Sequence, residues 1–152
     1  MTGPTNLSSF SRLVPREHGL VTVSTLRQDQ TIQSTVVNAG VLDHPLTGVP
    51  VVGFVARGGT RKLDNLRARP RATVAIRAGW EWAAAEGDVQ LAGPDDPLDG
   101  VDDERLRLLL REIFAAAGGT HEDWDTYDRV MASQRRAAVL LSPDLVYSNP
   151  AR

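Results

Sequence analysis

The sequence predicts a mainly β protein: six strands in mostly antiparallel order, with short helices between them, closing fully or partly into a barrel. Three observations carry this expectation. Six segments read as strands, by alternation or as short apolar runs bounded by turn residues. That is too much strand for a helical bundle. The chain also lacks the repeated strand-helix alternation that a doubly wound sheet requires.

Ser8 or Ser9 can cap a first short helix carrying Phe10, Leu13 and Val14 and ending before Gly19. Residues 19–26 (GLVTVSTL) alternate apolar and small polar side chains, residues 27–31 are a polar turn, and residues 32–39 (IQSTVVNA) complete a hairpin. Residues 40–48, with Pro45 and two glycines, read as a loop. Residues 49–57 (VPVVGFVAR) are largely apolar, as expected of a strand buried on both faces. Gly58-Gly59 stops that strand, and Thr60 can cap a short helix through Leu66 that closes before Pro70. A fourth strand spans residues 72–78, and a fifth, interrupted by Gly87, spans 80–92. A Pro/Asp/Gly linker follows at 94–100.

Leu106, Leu109, Leu110, Ile113, Phe114 and Ala117 form one apolar stripe at helical spacing. Asp102, Asp103 and Glu104 stand at its start, where the helix dipole favours anions, and Gly118-Gly119 ends it. Thr120 with Asp123 resembles a capping box for a further helix through Trp124, Tyr127 and Met131. Residues 137–141 and 144–148 supply the last strand around Pro143. Residues 1–152 read as a single domain, large enough for an ordinary core.

Composition narrows the function. An apolar share of 41% and a charged share of 24% are those of a soluble globular protein. No apolar run approaches the roughly 18 residues of a membrane span. Residues 1–11 lack the basic start and apolar stretch of a signal peptide, so a cytoplasmic protein is expected. Without cysteine there is no disulfide, thiolate zinc site or cysteine nucleophile. A net charge of −2 argues against general nucleic-acid binding. The charge is nevertheless uneven: seven cations (Arg57, Arg61, Lys62, Arg67, Arg69, Arg71, Arg77) stand against Asp64 between residues 57 and 77. Such a patch suits a small anionic ligand, and equally a solvated helix face with acidic neighbours. Among sixteen arginines there is one lysine, Lys62. A compact ammonium on a flexible stem has a reach that a flat guanidinium lacks, although chance survival of a surface lysine also fits.

Other chemistry lacks support. His18, His44 and His121 have no metal-ligand spacing. There is no G-x-S-x-G elbow, G-x-G-x-x-G turn or Walker sequence. Asp95, Asp99 and Gly100 fit a calcium loop, but Pro97 and Leu106 occupy two of its ligand positions. What remains is residues 58–67, Gly58-Gly59-Thr60-Arg61-Lys62 leading into a helix. A glycine turn admits close backbone approach, and a helix start presents free N–H groups beside the Thr60 hydroxyl and two cations. A phosphate cradle and an ordinary basic helix start both fit.

TRKLDNLRARPRATVAI, directly after a strand ending VAR, resembles the phosphate site of the pyridoxamine 5'-phosphate oxidase-like, FMN-binding split barrels, in which a paired Arg-Lys grips the phosphate. The similarity runs nearly end to end with one branch, the actinobacterial F420-dependent reductases. HGLVTVSTL, IQSTVVNAG, GWEWAAAEGDVQL, HEDWDTYDRVM and SPDLVYSNP resemble its segments in order and spacing.

The resemblance implies a homodimeric six-stranded split β-barrel with the deazaflavin coenzyme F420 bound at the dimer interface. Carried over by position, Thr60, Arg61, Lys62 and Asn65 would hold the phosphate end. Gln33, Ser34, Thr35 and Val36 would lie along the ring through backbone and side-chain polar atoms, and Trp80 would cover the site from the opposite subunit. Trp80 and Trp82 equally suit core or dimer-contact aromatics, and Ser34 and Thr35 ordinary strand positions. The implied activity is hydride transfer from reduced F420 to a flat, conjugated small molecule, with tetrapyrrole or enone-like compounds as examples. An FMN flavoprotein of the same fold, and a non-catalytic carrier of F420 or a tetrapyrrole, are the alternatives. The ending LVYSNPAR lacks the Arg-, His- and Trp-rich substrate segment of pyridoxamine phosphate oxidase itself, which argues against that reaction.

Overall fold

The computed structural model describes residues 3–150, so the extreme ends of the expected domain, residues 1–2 and 151–152, lie outside the described residues. Six strands, β1 (Leu20–Leu26), β2 (Ile32–Asp43), β3 (Pro50–Ala56), β4 (Arg71–Ala78), β5 (Glu81–Ala92) and β6 (Ala137–Ser148), close into a barrel in the order β1-β2-β3-β6-β5-β4. All neighbouring pairs are antiparallel, with β4 returning to β1. Four α-helices accompany them: α1 (Ser8–Ser11), α2 (Arg61–Ala68), α3 (Asp103–Ala116) and α4 (Trp124–Ser133). Among the described residues no helix is long and apolar enough to cross a membrane.

Two cores follow from the strand alternation. Val23, Phe54, Leu63, Val74, Ile76 and Val139 fill the barrel, with Phe10 and Leu13 plugging one end. The opposite faces of β3 and β6 carry Val51, Ala138 and Leu140 against Leu109, Leu110 and Ile113 of the expected helical stripe. This second core explains why β3 is apolar on both faces.

Several local expectations need correction. The first helix is only one turn, with Pro15 in a separate 3-10 turn at Val14–Glu17; no serine caps it, since the N-cap position is Leu7 and the Ser8 N–H donates to Asn6 Oδ1 at 2.8 Å. The cap of α4 is Asp123, which accepts from the Thr126 N–H at 3.1 Å, so Thr120 forms no capping box. Residues 40–43 extend β2 instead of opening a loop. Gly40 is there for closeness, not flexibility: a Cβ at this position would stand 2.2 Å from the Ala116 carbonyl carbon, where α3 crosses β2. β6 runs unbroken through Pro143, which is tolerated at an irregularity in pairing opposite Gly87.

Candidate functional site

Half of β2 presents an edge that β3 does not cover. Residues 32–38 pair with β1, whereas only residues 39–43 pair with β3. The ladder parity is set by two bonds: the Ala39 N–H donates to Gly19 O (2.8 Å) and the His44 N–H to Val49 O (2.9 Å). Alternate residues of an antiparallel strand address opposite neighbours. Odd-numbered residues of β2 therefore bond to β1, and Ser34, Val36 and Asn38 turn their backbone N–H and C=O toward the edge that β3 leaves uncovered. Side chains alternate too. Gln33, Thr35 and Val37 share the inner face with Thr25, Val23 and Val21, while Ser34 and Val36 lie on the outer face.

At one end of this edge, the β1–β2 turn and α2 enclose a cleft of about 880 Å³ lined by Arg27, Gln33, Arg61, Asn65 and Arg69. Asp29 and Asp64 also line it, but Asp29 is held by Thr31 at 2.6 Å and Asp64 pairs with Arg67 at 3.0 Å. Among the described residues Arg61 has neither a hydrogen-bond partner nor a counter-ion. Asn65 is buried, and its amide nitrogen donates to Thr25 Oγ1 (3.1 Å) and Gln33 Oε1 (3.0 Å). That pair of bonds ties α2 to the hairpin and leaves the Asn65 carbonyl oxygen as its remaining polar atom.

Toward the other end lies a slot of about 360 Å³ between β2, β3, α3 and α4. Val37, Val55, Phe114, Tyr127 and Met131 give it apolar walls, and Arg136 supplies a cation. The Tyr127 hydroxyl donates to Leu110 O at 2.9 Å, and burial pushes its pKa up to about 12. That proton is committed and is not offered to a ligand.

Lys62 belongs to α2, which walls the cleft, and interacts with Arg136, which walls the slot. Its ammonium lies 5.8 Å from the centre of the Phe54 ring. Burial holds its pKa below the ordinary lysine value, and repulsion by Arg136 adds to this. No carboxylate among the described residues pairs with it. Two hydroxyls stand out, one of them directly preceding Arg61 and Lys62 in the chain. Thr60 begins α2 in the extended conformation of an N-cap, yet its side chain makes no capping bond. Thr60 Oγ1 and Thr35 Oγ1 are the two buried side-chain polar atoms among the described residues that have no hydrogen-bond partner. Each such orphan costs about 1–3 kcal/mol when nothing satisfies it.

Of the residues singled out in the sequence, Gln33, Arg61 and Asn65 meet in the cleft, and Thr35 continues their row along β2 toward the slot. Ser34 and Val36 reach the open edge through backbone only: Ser34 Oγ is 3.0 Å from Ser24 Oγ, and the Val36 side chain is exposed on the outer face. Trp80 is apart from these residues, at the tip of the β4–β5 hairpin and 79% exposed. The slot residues Arg136, Phe114, Tyr127 and Met131 carried no sequence signal of a site. Phe114, Tyr127 and Met131 read as helix-stripe residues, and Arg136 lies in an unremarkable Arg-Arg pair before β6. His18, His44 and His121 form no metal cluster among the described residues; His44 bonds Gln90 at 2.6 Å.

Solved structures share this architecture. A pyridoxamine 5'-phosphate oxidase-related, FMN-binding protein from Nostoc punctiforme superposes with a TM-score of 0.66 at 14% identity, covering 97% of this chain and 85% of its own. The protein has the pyridoxamine 5'-phosphate oxidase-like split-barrel fold. An F420 reductase is similar at a TM-score of 0.58 and 14% identity, over 84% of this chain and 88% of its own. The conserved hypothetical protein Rv2991 of Mycobacterium tuberculosis matches at 0.62 and 14%, over 100% and 94%. No protein-family model matches the chain. At these identities the likeness is one of fold.

Proposed function

We propose that the protein is an F420-dependent oxidoreductase acting on a conjugated small molecule. The observation that carries this reading is the orphan hydroxyl of Thr60, which directly precedes Arg61 and Lys62, two cations without a counter-ion among the described residues; a second orphan, Thr35 Oγ1, lies on β2 two residues beyond Gln33. An anionic ligand at the start of α2 would satisfy Thr60, Arg61 and Lys62, and a polar extension of it along β2 would reach Thr35. The open edge of β2 adds a row of backbone donors and acceptors at Ser34 and Val36, suited to the polar rim of a flavin-like ring.

When bound, the cofactor supplies the hydride chemistry; the protein supplies position, charge and exclusion of water. Thr60, Arg61 and Lys62 would neutralise and hold the phosphate. Gln33, itself held by Asn65, and Thr35 would line the path from phosphate to ring. The apolar slot walls would keep water from the acceptor face, and solvent at the mouth would return the proton to the product. F420 is favoured over FMN by the size and charge of the cleft. Arg27, Arg61 and Arg69 line a space larger than one phosphate needs. F420 continues past its phosphate into an acidic tail, whereas FMN ends there.

Homodimerisation belongs to the same proposal. Leu20, Ile32, Val36, Trp82, Leu145 and Tyr147 are exposed apolar residues, and the strand registers put them on one outer face. Exposed apolar side chains gathered on one face, here interspersed with Thr22, Ser34, Thr73 and Arg77, suit an association surface. Trp80, at its margin, would then cover the site of the opposite subunit.

The test is a fluorescence titration of purified protein with F420 and with FMN, followed by turnover of reduced F420 against a panel of acceptors. Tight F420 binding with acceptor-dependent oxidation supports the proposal. Preference for FMN would replace the cofactor, and F420 binding without turnover on any acceptor would make the protein a carrier.

A further inference from the structure

Among the described residues Arg136 has no ion-pair partner, and it is placed in a largely apolar wall. It lines the slot opposite Val37 and Val55, beside Phe114, Tyr127 and Met131. Among the described residues its guanidinium makes one hydrogen bond, from Nε to Gln134 Oε1 at 2.9 Å. Its surroundings are positive. Ala56 pairs with Ala137, so Arg57 and Arg136 are the next residues facing each other across β3 and β6. Like charges directly opposite one another on paired strands are destabilising. Lys62 adds a third cation on the α2 side. The nearby carboxylate, Asp128, is occupied by Arg107 at 3.0 Å and Arg111 at 2.9 Å. Burial and the repulsion from Arg57 both depress the Arg136 pKa, as expected for a guanidinium lacking an anion.

The residues proposed to hold the cofactor phosphate stand at the start of α2, whereas Arg136 precedes β6 and lines the slot. We infer that Arg136 anchors an acidic group on the acceptor substrate, so the slot selects flat, apolar molecules bearing a carboxylate or similar monoanion. The inference rests on the proposed oxidoreductase reading, because it assigns the slot to the acceptor. Aromatic and thioether walls take the flat body, and the guanidinium fixes its orientation by the charged end. An uncharged analogue would leave Arg136 repelled by Arg57 and unpaired, and that is the basis of selection.

The test uses two fluorescent probes with the same rings, anilinonaphthalene sulfonate and its uncharged parent anilinonaphthalene, on the full-length protein. Wild type should bind the sulfonate more tightly. Arg136→Gln should weaken the sulfonate about tenfold or more, as for a lost charged hydrogen bond, and leave the parent within about twofold. Arg136→Lys should retain most of the preference, and Arg12→Gln, a surface change, should alter neither probe. Equal loss of both probes, or an unchanged preference for the sulfonate in Arg136→Gln, overturns the inference. So does a fall in F420 or FMN affinity comparable to that of a Lys62 variant, which would move Arg136 into the phosphate grip. If neither cofactor binds at all, the oxidoreductase reading fails, while the probe comparison still reports on the anionic subsite.

Discussion

Lys62 offers a test in which folding and binding should move in opposite directions. Lys62→Met keeps an unbranched stem over the Phe54 ring and removes the charge. In the unliganded protein that charge is half-buried, repelled by Arg136 and unpaired, so its removal should leave the fold unharmed or stabilise it by up to about 1 kcal/mol, or about 2–4 °C in melting temperature for a chain of this size. The bound phosphate, however, would lose one charged hydrogen bond. That is worth about 1.5–3 kcal/mol, or roughly a 10- to 150-fold weaker Kd. The pH dependence has a definite sign. The folded-state pKa is lowered from about 10.5, so the folded protein releases this proton before the unfolded chain does. The penalty is complete below the folded pKa, and stability from this group rises as pH climbs from there to the unfolded value. Fluorescence titration and thermal melts from neutral to alkaline pH measure both effects. Unchanged cofactor affinity together with a melting temperature several degrees lower would refute the reasoning, because it would make Lys62 a structural residue.

Three further outcomes are expected. Gly40→Ala should destabilise by about 3 kcal/mol or more, because the contact a Cβ would meet is the α3 main chain, and circular-dichroism melts would show it. Asp128→Asn should cost about 1 kcal/mol at neutral pH, a modest value because the ion pair is partly exposed. Bonding to Arg111 lowers the Asp128 pKa below its ordinary value, so its contribution is present above that value and disappears as pH falls through the folded pKa; the melting difference from wild type should close in acid. If Trp80 covers the partner's site, re-equilibrated equal mixtures of Lys62→Met and Trp80→Ala dimers should recover about a quarter of the tight sites, since each mixed dimer contains one intact site. No recovery in a titration would place Trp80 outside the site or within its own chain's.

The barrel was legible because its signals are local. Alternation at residues 19–26 and 32–39, with the stripe from Leu106 to Ala117, records which side faces a core. The Thr60-Arg61-Lys62 cluster was likewise contiguous, and its structure keeps those groups available. The slot was not legible, because Val37, Phe114, Tyr127 and Arg136 come from four separate elements and each has a plain structural reading. Gly40 was misread for a related reason: a glycine required by a helix crossing from 76 residues later looks, in the local sequence, like a turn. Thr60 was read correctly as a cap position, but its idle hydroxyl is visible only in three dimensions.

The seating of α3 on β2 has a consequence for how this site can change over time. At Gly19 and Gly40 the end of the helix rests on bare main chain, with the position a Cβ would occupy only 2.5 Å from Ala117 O and 2.2 Å from the Ala116 carbonyl carbon. Where α3 meets β1 and β2, the width of the gap is therefore held by peptide units rather than by side chains. Met131 and Arg136 can be exchanged to admit a new substrate while that contact keeps its dimensions, whereas Tyr127, buried and bonded to Leu110 O, belongs to the frame.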